Sequence, residues 1–316
     1  MVKRLLLASP RGYCAGVERA VETVARALDL DGTVYVRKEI VHNRHVVDDL
    51  REHGAVFVQE AQEAPRGATL VLSAHGVAPE VYQHCAELEQ RVIDATCPLV
   101  TKVHVQARRF AADCFEIILI GHAGHEEVIG TMGEAPEAIT LVESVDDAEA
   151  LTFPYGTKLA YVTQTTLSVE ETAEIIAVLR RRYPYIRSPK REDICYATSN
   201  RQRAVKEMLP QIQLLLVIGS KNSSNSNRLV DVARAGGIDA HLIEDAAAIE
   251  ESWLEQVETV GITSGASAPE RLVEGVCDWF RERGVDEIEQ ARIVEEHVEF
   301  RLPVELRREL RARDER

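Results

Sequence analysis

The chain has 316 residues, 45% of them hydrophobic, enough to bury the cores of two or three domains. Its formal charge of −15 excludes a general nucleic-acid or membrane-surface binder, either of which carries a basic footprint. No apolar run approaches the ~20 residues of a membrane span, and Leu5-Leu-Leu-Ala8 is too short for a signal-peptide core. The chain therefore reads as cytoplasmic, where thiols stay reduced and free to bind metal.

Taken in order, Leu5-Leu-Leu-Ala8 reads as a buried first strand, followed by the loop Arg11-Gly-Tyr-Cys-Ala-Gly16. Val17 to Leu28 has helical spacing, and Thr33–Arg37, Ala55–Val58 and Thr69–Leu72 read as strands, the last ending in Ser73-Ala-His-Gly76. The order then recurs. Asp94-Ala-Thr-Cys-Pro98 opens a helix over Val100–Ala112, a strand over Phe115–Ile120 and the loop Gly121-His-Ala-Gly-His-Glu-Glu127. Strands at Ile139–Val142 and Lys158–Val162 lead into Thr163-Gln-Thr-Thr166. A third round begins at Asp193-Ile-Cys-Tyr-Ala197, with a helix over Ser199–Leu209, a strand over Leu214–Ile218 and the loop Gly219–Asn225. Ala240–Ile243 and Val260–Thr263 follow, the latter ending in Ser264-Gly-Ala-Ser-Ala-Pro269. The tail predicts one short strand, Val298–Leu302, before the end frays.

Alternating strands and helices predict parallel sheets covered on both faces, the α/β class, with ligands outside the carboxyl ends of the strands. The recurrence predicts domains at 1–96, 97–194 and 195–283, with 284–316 as a tail packing back on the body. Cys14, Cys97 and Cys195 stand in matched places, and His42, His125 and Ser223 each lie 28 residues after one of them. Three matched thiolates point to a metal site with an open position. Zinc sites draw on close pairs such as C-x₂-C, which are absent, whereas spacings of 83 and 98 residues suit a bulkier iron–sulfur cluster. Cys85, Cys114 and Cys277 read as structural cysteines.

The loop Gly219–Asn225 is dense in short donors. Its Ser and Asn residues either cap the next helix, with Asn225 or Ser226 as the cap, or hold a phosphate at that helix's N-terminus. It is not a Walker loop. His42, His75 and His125 are ordinary loop residues or donors to an anion. Glu127 is a solvated glutamate or a proton source opposite a metal, with Glu126 the solvated neighbour on an extended loop and Thr165 or Thr166 as relay. The residues leave a zinc-dependent phosphohydrolase and a non-catalytic, phosphometabolite-sensing cluster protein open beside a redox enzyme.

From Leu7 to Glu309 the chain resembles the 4-hydroxy-3-methylbut-2-enyl diphosphate reductase family. The resemblance rests on Pro10–Gly16, Ser73–Gly76, Asp94–Pro98, Gly121–His125, Glu127–Gly133, Val162–Ser168, Asp193–Thr198, Gly219–Asn227 and Gly265–Pro269. Glu126 departs from it, since the family often has proline there. The resemblance implies three similar α/β domains in a pseudo-threefold trefoil around one [4Fe–4S] cluster held by Cys14, Cys97 and Cys195, with one iron free of protein ligands. It implies an allylic diphosphate substrate held by His42, His75, His125, Thr165, Ser223, Ser224, Asn225 and Ser267. Glu127 would supply protons, with Thr165 as relay, and a ferredoxin or flavodoxin would supply electrons.

Overall fold

The computed structural model describes residues 2–314. From the amino end the elements are β1 (Arg4–Ser9), α1 (Ala15–Asp31), β2 (Val34–Arg37), α2 (Arg44–Glu52), β3 (Ala55–Val58), β4 (Thr69–Leu72), α3 (Pro79–Glu87) and β5 (Arg91–Asp94). There follow α4 (Pro98–Ala112), β6 (Glu116–Ile120), α5 (Glu126–Gly133), β7 (Ile139–Val142), α6 (Val145–Ala150), β8 (Leu159–Thr163) and α7 (Val169–Arg182). The remainder is α8 (Tyr196–Met208), β9 (Leu214–Ile218), α9 (Ser224–Ala235), β10 (Asp239–Ile243), β11 (Thr259–Ser264), α10 (Glu270–Arg281), β12 (Glu287–Arg292) and α11 (Val304–Asp314).

All strand pairs are parallel, and they form three sheets ordered β3-β2-β4-β5, β7-β6-β8 and β10-β9-β11-β1-β12. The α/β class expected from the sequence is the class observed. The three sheets share one plan. In each, the first strand of a repeat (β2, β6 or β9) lies between the second and the third. Beside that third strand lies the segment leading into a cysteine. β5 leads to Cys97, β1 leads to Cys14, and the stretch before Cys195 bridges to β8 through Arg187 and Ala160. Among the described residues only β1 pairs with strands from the far end of the sequence.

The chain divides into two compact units. One comprises the residues up to Val17, 42–46 and 196–299, and contains the five-stranded sheet. Its strands alternate between two cores: Leu5, Leu7, Leu216, Ile218 and Ile262 pack with Phe280 on one face, and Leu6, Ala8, Leu215 and Val217 with Leu229 on the other. The other unit comprises 18–41, 47–195 and the chain from Phe300 onward, and contains the two smaller sheets. There β6 sends Ile117 and Leu119 towards Phe110, and Ile118 and Ile120 towards Leu179.

The tail differs from expectation. The strand forms at Glu287–Arg292, and residues 298–302 form none. β12 is a mostly exposed edge strand fixed by its register on β1 rather than by apolar pattern. Where a frayed end was expected, Val304–Asp314 is helical, with Leu306 buried, Glu309 paired with Arg91, and Arg313 bonded to the Asp29 carbonyl at 2.6 Å. Residues 315 and 316 lie outside the described residues.

Candidate active site

The helices after the three cysteines begin earlier than their apolar spacing suggests, at Ala15, Pro98 and Tyr196. Cys14, Cys97 and Cys195 therefore each stand immediately before a helix, beside the N–H groups that the first turn leaves without an intrahelical acceptor. None of the three is in a disulfide, and all are half-buried. Each backbone N–H is pinned to the second residue past the end of a third strand: Cys14 to Ala266 (3.2 Å), Cys97 to Ala74 (2.9 Å) and Cys195 to Thr165 (3.0 Å). Those acceptors are, or adjoin, Ser267, His75 and Thr165, all expected substrate residues. Cys85 and Cys277 differ in kind, being buried within helices with burial pushing both thiols up. Cys114 is exposed. Among the described residues no three His, Cys, Asp or Glu side chains form a ready-made site for a single ion. A cluster asks less, because each thiolate binds a different iron. Three accessible thiols at helix starts are the donor set such a group requires.

In the first unit, the glycines ending β9 and β11 admit a wedge. A Cβ on Gly219 or Gly265 would lie 2.2 or 2.0 Å from Ser226 Oγ. Ser226 thereby seats the start of α9 against both strand ends. The cap is Ser223, whose Oγ accepts the Ser226 N–H at 3.3 Å, not Asn225 or Ser226. Asn225 is buried and joins two loops: its Oδ1 accepts the Ala266 N–H at 2.9 Å and its Nδ2 donates to Thr198 Oγ1 at 3.2 Å. Ser224 opens the helix, whose first N–H groups have no acceptor within it. Ser267 Oγ donates to the His42 carbonyl at 2.9 Å, and Asn222 Nδ2 lies 3.3 Å from His42 Nδ1.

In the second unit, His125 caps α5 and its Nδ1 accepts the Glu127 N–H at 3.1 Å, which puts the proton of the neutral ring on Nε2. The His75 ring stands edge-on to His125 with centroids 6.0 Å apart. Glu127 is 2% exposed, and Thr165 grips its carboxylate twice: the Thr165 N–H donates to Oε1 at 2.6 Å and the hydroxyl to Oε2 at 3.1 Å. One bonded path therefore runs from Cys195 through Thr165 and Glu127 to His125. Burial pushes the Glu127 carboxyl up to about 7; the Thr165 bonds oppose that rise and nearby Asp193 adds to it.

Glu126 lies not on an extended loop but at the first position of α5, and ion-pairs with Lys38 (3.4 Å) and Arg37 (3.8 Å). Its neighbour is turned inward to Thr165. Asp193 shows in the sequence only as part of the Asp193–Ala197 run, yet it is buried, accepts the Thr163 N–H at 3.2 Å and pairs with Lys102 at 3.0 Å. Its place two residues before Cys195 was the available signal.

The Glu127 environment predicts a pH effect. Its proton is held more tightly in the folded chain than at the ordinary 4.5, so the folded state loses stability as pH rises from about 4.5 to about 7. The cost is roughly 3 kcal/mol when complete. Denaturant unfolding under anaerobic conditions should show Glu127→Gln losing less stability than the parent between about pH 5 and about pH 8. Equal losses would place the Glu127 pKa near its unfolded value.

The fold and these loops have close counterparts among known proteins. A family model described as LytB protein matches residues 5–281. The chain is 57% identical over 315 residues to the 4-hydroxy-3-methylbut-2-enyl diphosphate reductase of Acidothermus cellulolyticus, covering 99% of this chain and 93% of that one. It is 57% identical to 4-hydroxy-3-methylbut-2-enyl diphosphate reductase 1 of Mycobacterium bovis, over 96% of this chain and 92% of the relative. The structure of the E-1-hydroxy-2-methyl-but-2-enyl-4-diphosphate reductase from Plasmodium falciparum superposes with a TM-score of 0.97 at 36% identity, covering 99% of this chain and 100% of that one. A match that runs through every cysteine loop and strand-end loop described above leaves one conclusion: the chain belongs to the LytB protein family.

Proposed function

We propose that the chain is an iron–sulfur reductase that removes the hydroxyl of 4-hydroxy-3-methylbut-2-enyl diphosphate, giving isopentenyl and dimethylallyl diphosphates. The observation that carries this reading is the bonded path Cys195–Thr165–Glu127–His125. It ties a ligand cysteine to a carboxyl held protonated near neutrality, as a reaction that consumes electrons and protons together requires. Two electrons and two protons enter, the C–O bond breaks and water leaves. Cys14, Cys97 and Cys195, one from each repeat, would hold a [4Fe–4S] cluster with one iron free of protein ligands. When bound, that cluster supplies a Lewis acid and electrons.

The chain's own residues do the rest. His42, Nε2–H of His125, the start of α9, and Ser223, Ser224 and Ser267 hold the diphosphate, with His75 beside His125. Asn225, its amide spent on Ala266 and Thr198, serves chiefly to shape that cradle. Glu127 delivers the proton and Thr165 orients it. Anaerobic purification tests the reading: iron, sulfide and turnover of the allylic diphosphate support it, whereas a colourless zinc protein would sink it.

The electron donor is proposed to be an acidic ferredoxin or flavodoxin docking on the basic stretch before Cys195. Arg181 and Arg182 are already paired with Glu149, and Arg180 with the Tyr161 hydroxyl. Arg187 lies beside Leu159, at the end of β8 away from Thr165. Exposed Lys190 and Arg191, nearer Asp193, are the better candidates. Reversing both charges should lower turnover with the protein donor severalfold and spare turnover with a small chemical reductant. Equal loss with both would remove this site.

No helix among the described residues is long and apolar enough to cross a membrane.

A further inference from the structure

Arg201 is the largest side chain that is fully buried, and it lies outside every motif discussed so far. A guanidinium cannot shed its charge, so burying it requires close partners. It has three kinds. NH1 donates to the Ala197 carbonyl at 3.0 Å within α8, and to both carboxylate oxygens of Glu296 at 3.2 and 3.3 Å. NH2 donates to the Gly12 carbonyl at 2.6 Å. Glu296 also accepts from Asn200 Nδ2 at 2.9 Å, and its side chain is 15% exposed.

Gly12 lies two residues before Cys14, with φ of 70° in the left-handed region that favours glycine. Its N–H is taken by Ser264 Oγ at 2.8 Å. On the other side of the cysteine, the Ala15 N–H donates to the Tyr196 hydroxyl at 3.3 Å. The turn around Cys14 is therefore held from both sides by α8, at its first residue and at Arg201. Arg201 and Glu296 thus bear on the Cys14 turn through the Gly12 carbonyl, two residues before the cysteine.

We propose that Arg201 and Glu296 form a positioning pair for the Cys14 turn, through which the irregular segment after β12 helps to set the stability and reduction potential of the group bound at Cys14. The inference rests on the cluster-binding reading above. The Gly12 bond fixes where the Cys14 sulfur stands, and the Glu296 carboxylate offsets a permanent positive charge beside it. Removing only the carboxylate charge leaves Arg201 uncompensated, which favours the reduced, more negative form of a bound cluster. Lysine at 201 keeps the charge but lacks the fork that reaches Gly12 and Glu296 together.

The test compares the anaerobically reconstituted holoenzyme with Glu296→Gln and Arg201→Lys, and with Cys85→Ser as a control. Iron content, reduction potential, the spectrum of the reduced cluster and the rate of iron loss to a chelator are measured. Glu296→Gln should hold iron and raise the potential enough to change the reduced-to-oxidised ratio at least ~threefold. Arg201→Lys should keep its potential near that of the parent yet lose iron at least ~fivefold faster. A folded Glu296→Gln that binds no iron would also support the pair, since no cysteine is touched. An unchanged potential and unchanged release rate in Glu296→Gln would overturn the proposal, as would unfolding of both variants, which would make the pair a general prop of the fold. A parent protein without iron or sulfide would fail the functional reading instead.

Discussion

Serine in place of Cys14, Cys97 or Cys195 is expected to give a folded chain that holds little iron and turns over at least ~10²-fold more slowly, because an alkoxide is a poor exchange for a soft thiolate ligand. The geometry makes this a clean test of ligand chemistry. Each cysteine is fixed through its backbone N–H to Ala266, Ala74 or Thr165, and each precedes a helix, so a serine oxygen would occupy nearly the same place. None of the three side chains is fully buried, and the cost to the fold should stay below about 1 kcal/mol. Cys85→Ser and Cys277→Ser invert the pattern. Their thiols are buried in helices, so a hydroxyl there costs packing while iron and turnover persist. Exposed Cys114 should tolerate serine on every measure. Iron and sulfide per chain, with the unfolding midpoint, separate the two groups. Iron at the parental level in Cys97→Ser would contradict the triad.

The buried strands were legible because parallel strands covered on both faces read as short apolar runs between turn residues. Thr69–Leu72 and Leu214–Ile218 have the bounds their sequence suggests, and so do the partly exposed edge strands Ala55–Val58 and Ile139–Val142. β12 was not legible, since Glu-Ile-Glu-Gln-Ala-Arg carries no such run and owes its place to β1. The alternation at Val298–Leu302 imitated a strand with no partner to pair with. In the site, residue types were legible and partnerships were not. Glu127 stood out beside Glu126, but only the fold shows one gripped by Thr165 and the other paired with Lys38. Asn225 read as a phosphate donor because amides at helix starts often are; its bonds to Ala266 and Thr198 depend on chain 41 and 27 residues away. Arg201 looks in sequence like any solvated helix arginine.

Glu127→Gln should abolish most turnover while leaving the rest of the site standing. The amide keeps the carboxyl's shape: its oxygen can accept the Thr165 N–H, and its NH₂ can donate to the Thr165 hydroxyl in place of the present bond. The Thr165 carbonyl then still anchors Cys195, and the Glu127 N–H still fixes the His125 proton on Nε2. Cluster and diphosphate affinity should therefore remain near those of the parent. What disappears is an acid that burial has placed at about 7, close to the optimum for giving and regaining a proton in neutral solution. Loss of general acid assistance of that kind lowers rates ~10²–10⁴-fold. Glu126→Gln makes the comparison, because its carboxylate faces Lys38 and Arg37 and loses only a partly exposed ion pair, worth ~1 kcal/mol or less of stability. Turnover, substrate affinity and iron content of both variants decide the matter. Turnover of Glu127→Gln within a few-fold of the parent, or a dead Glu126→Gln, would show that the proton comes from elsewhere.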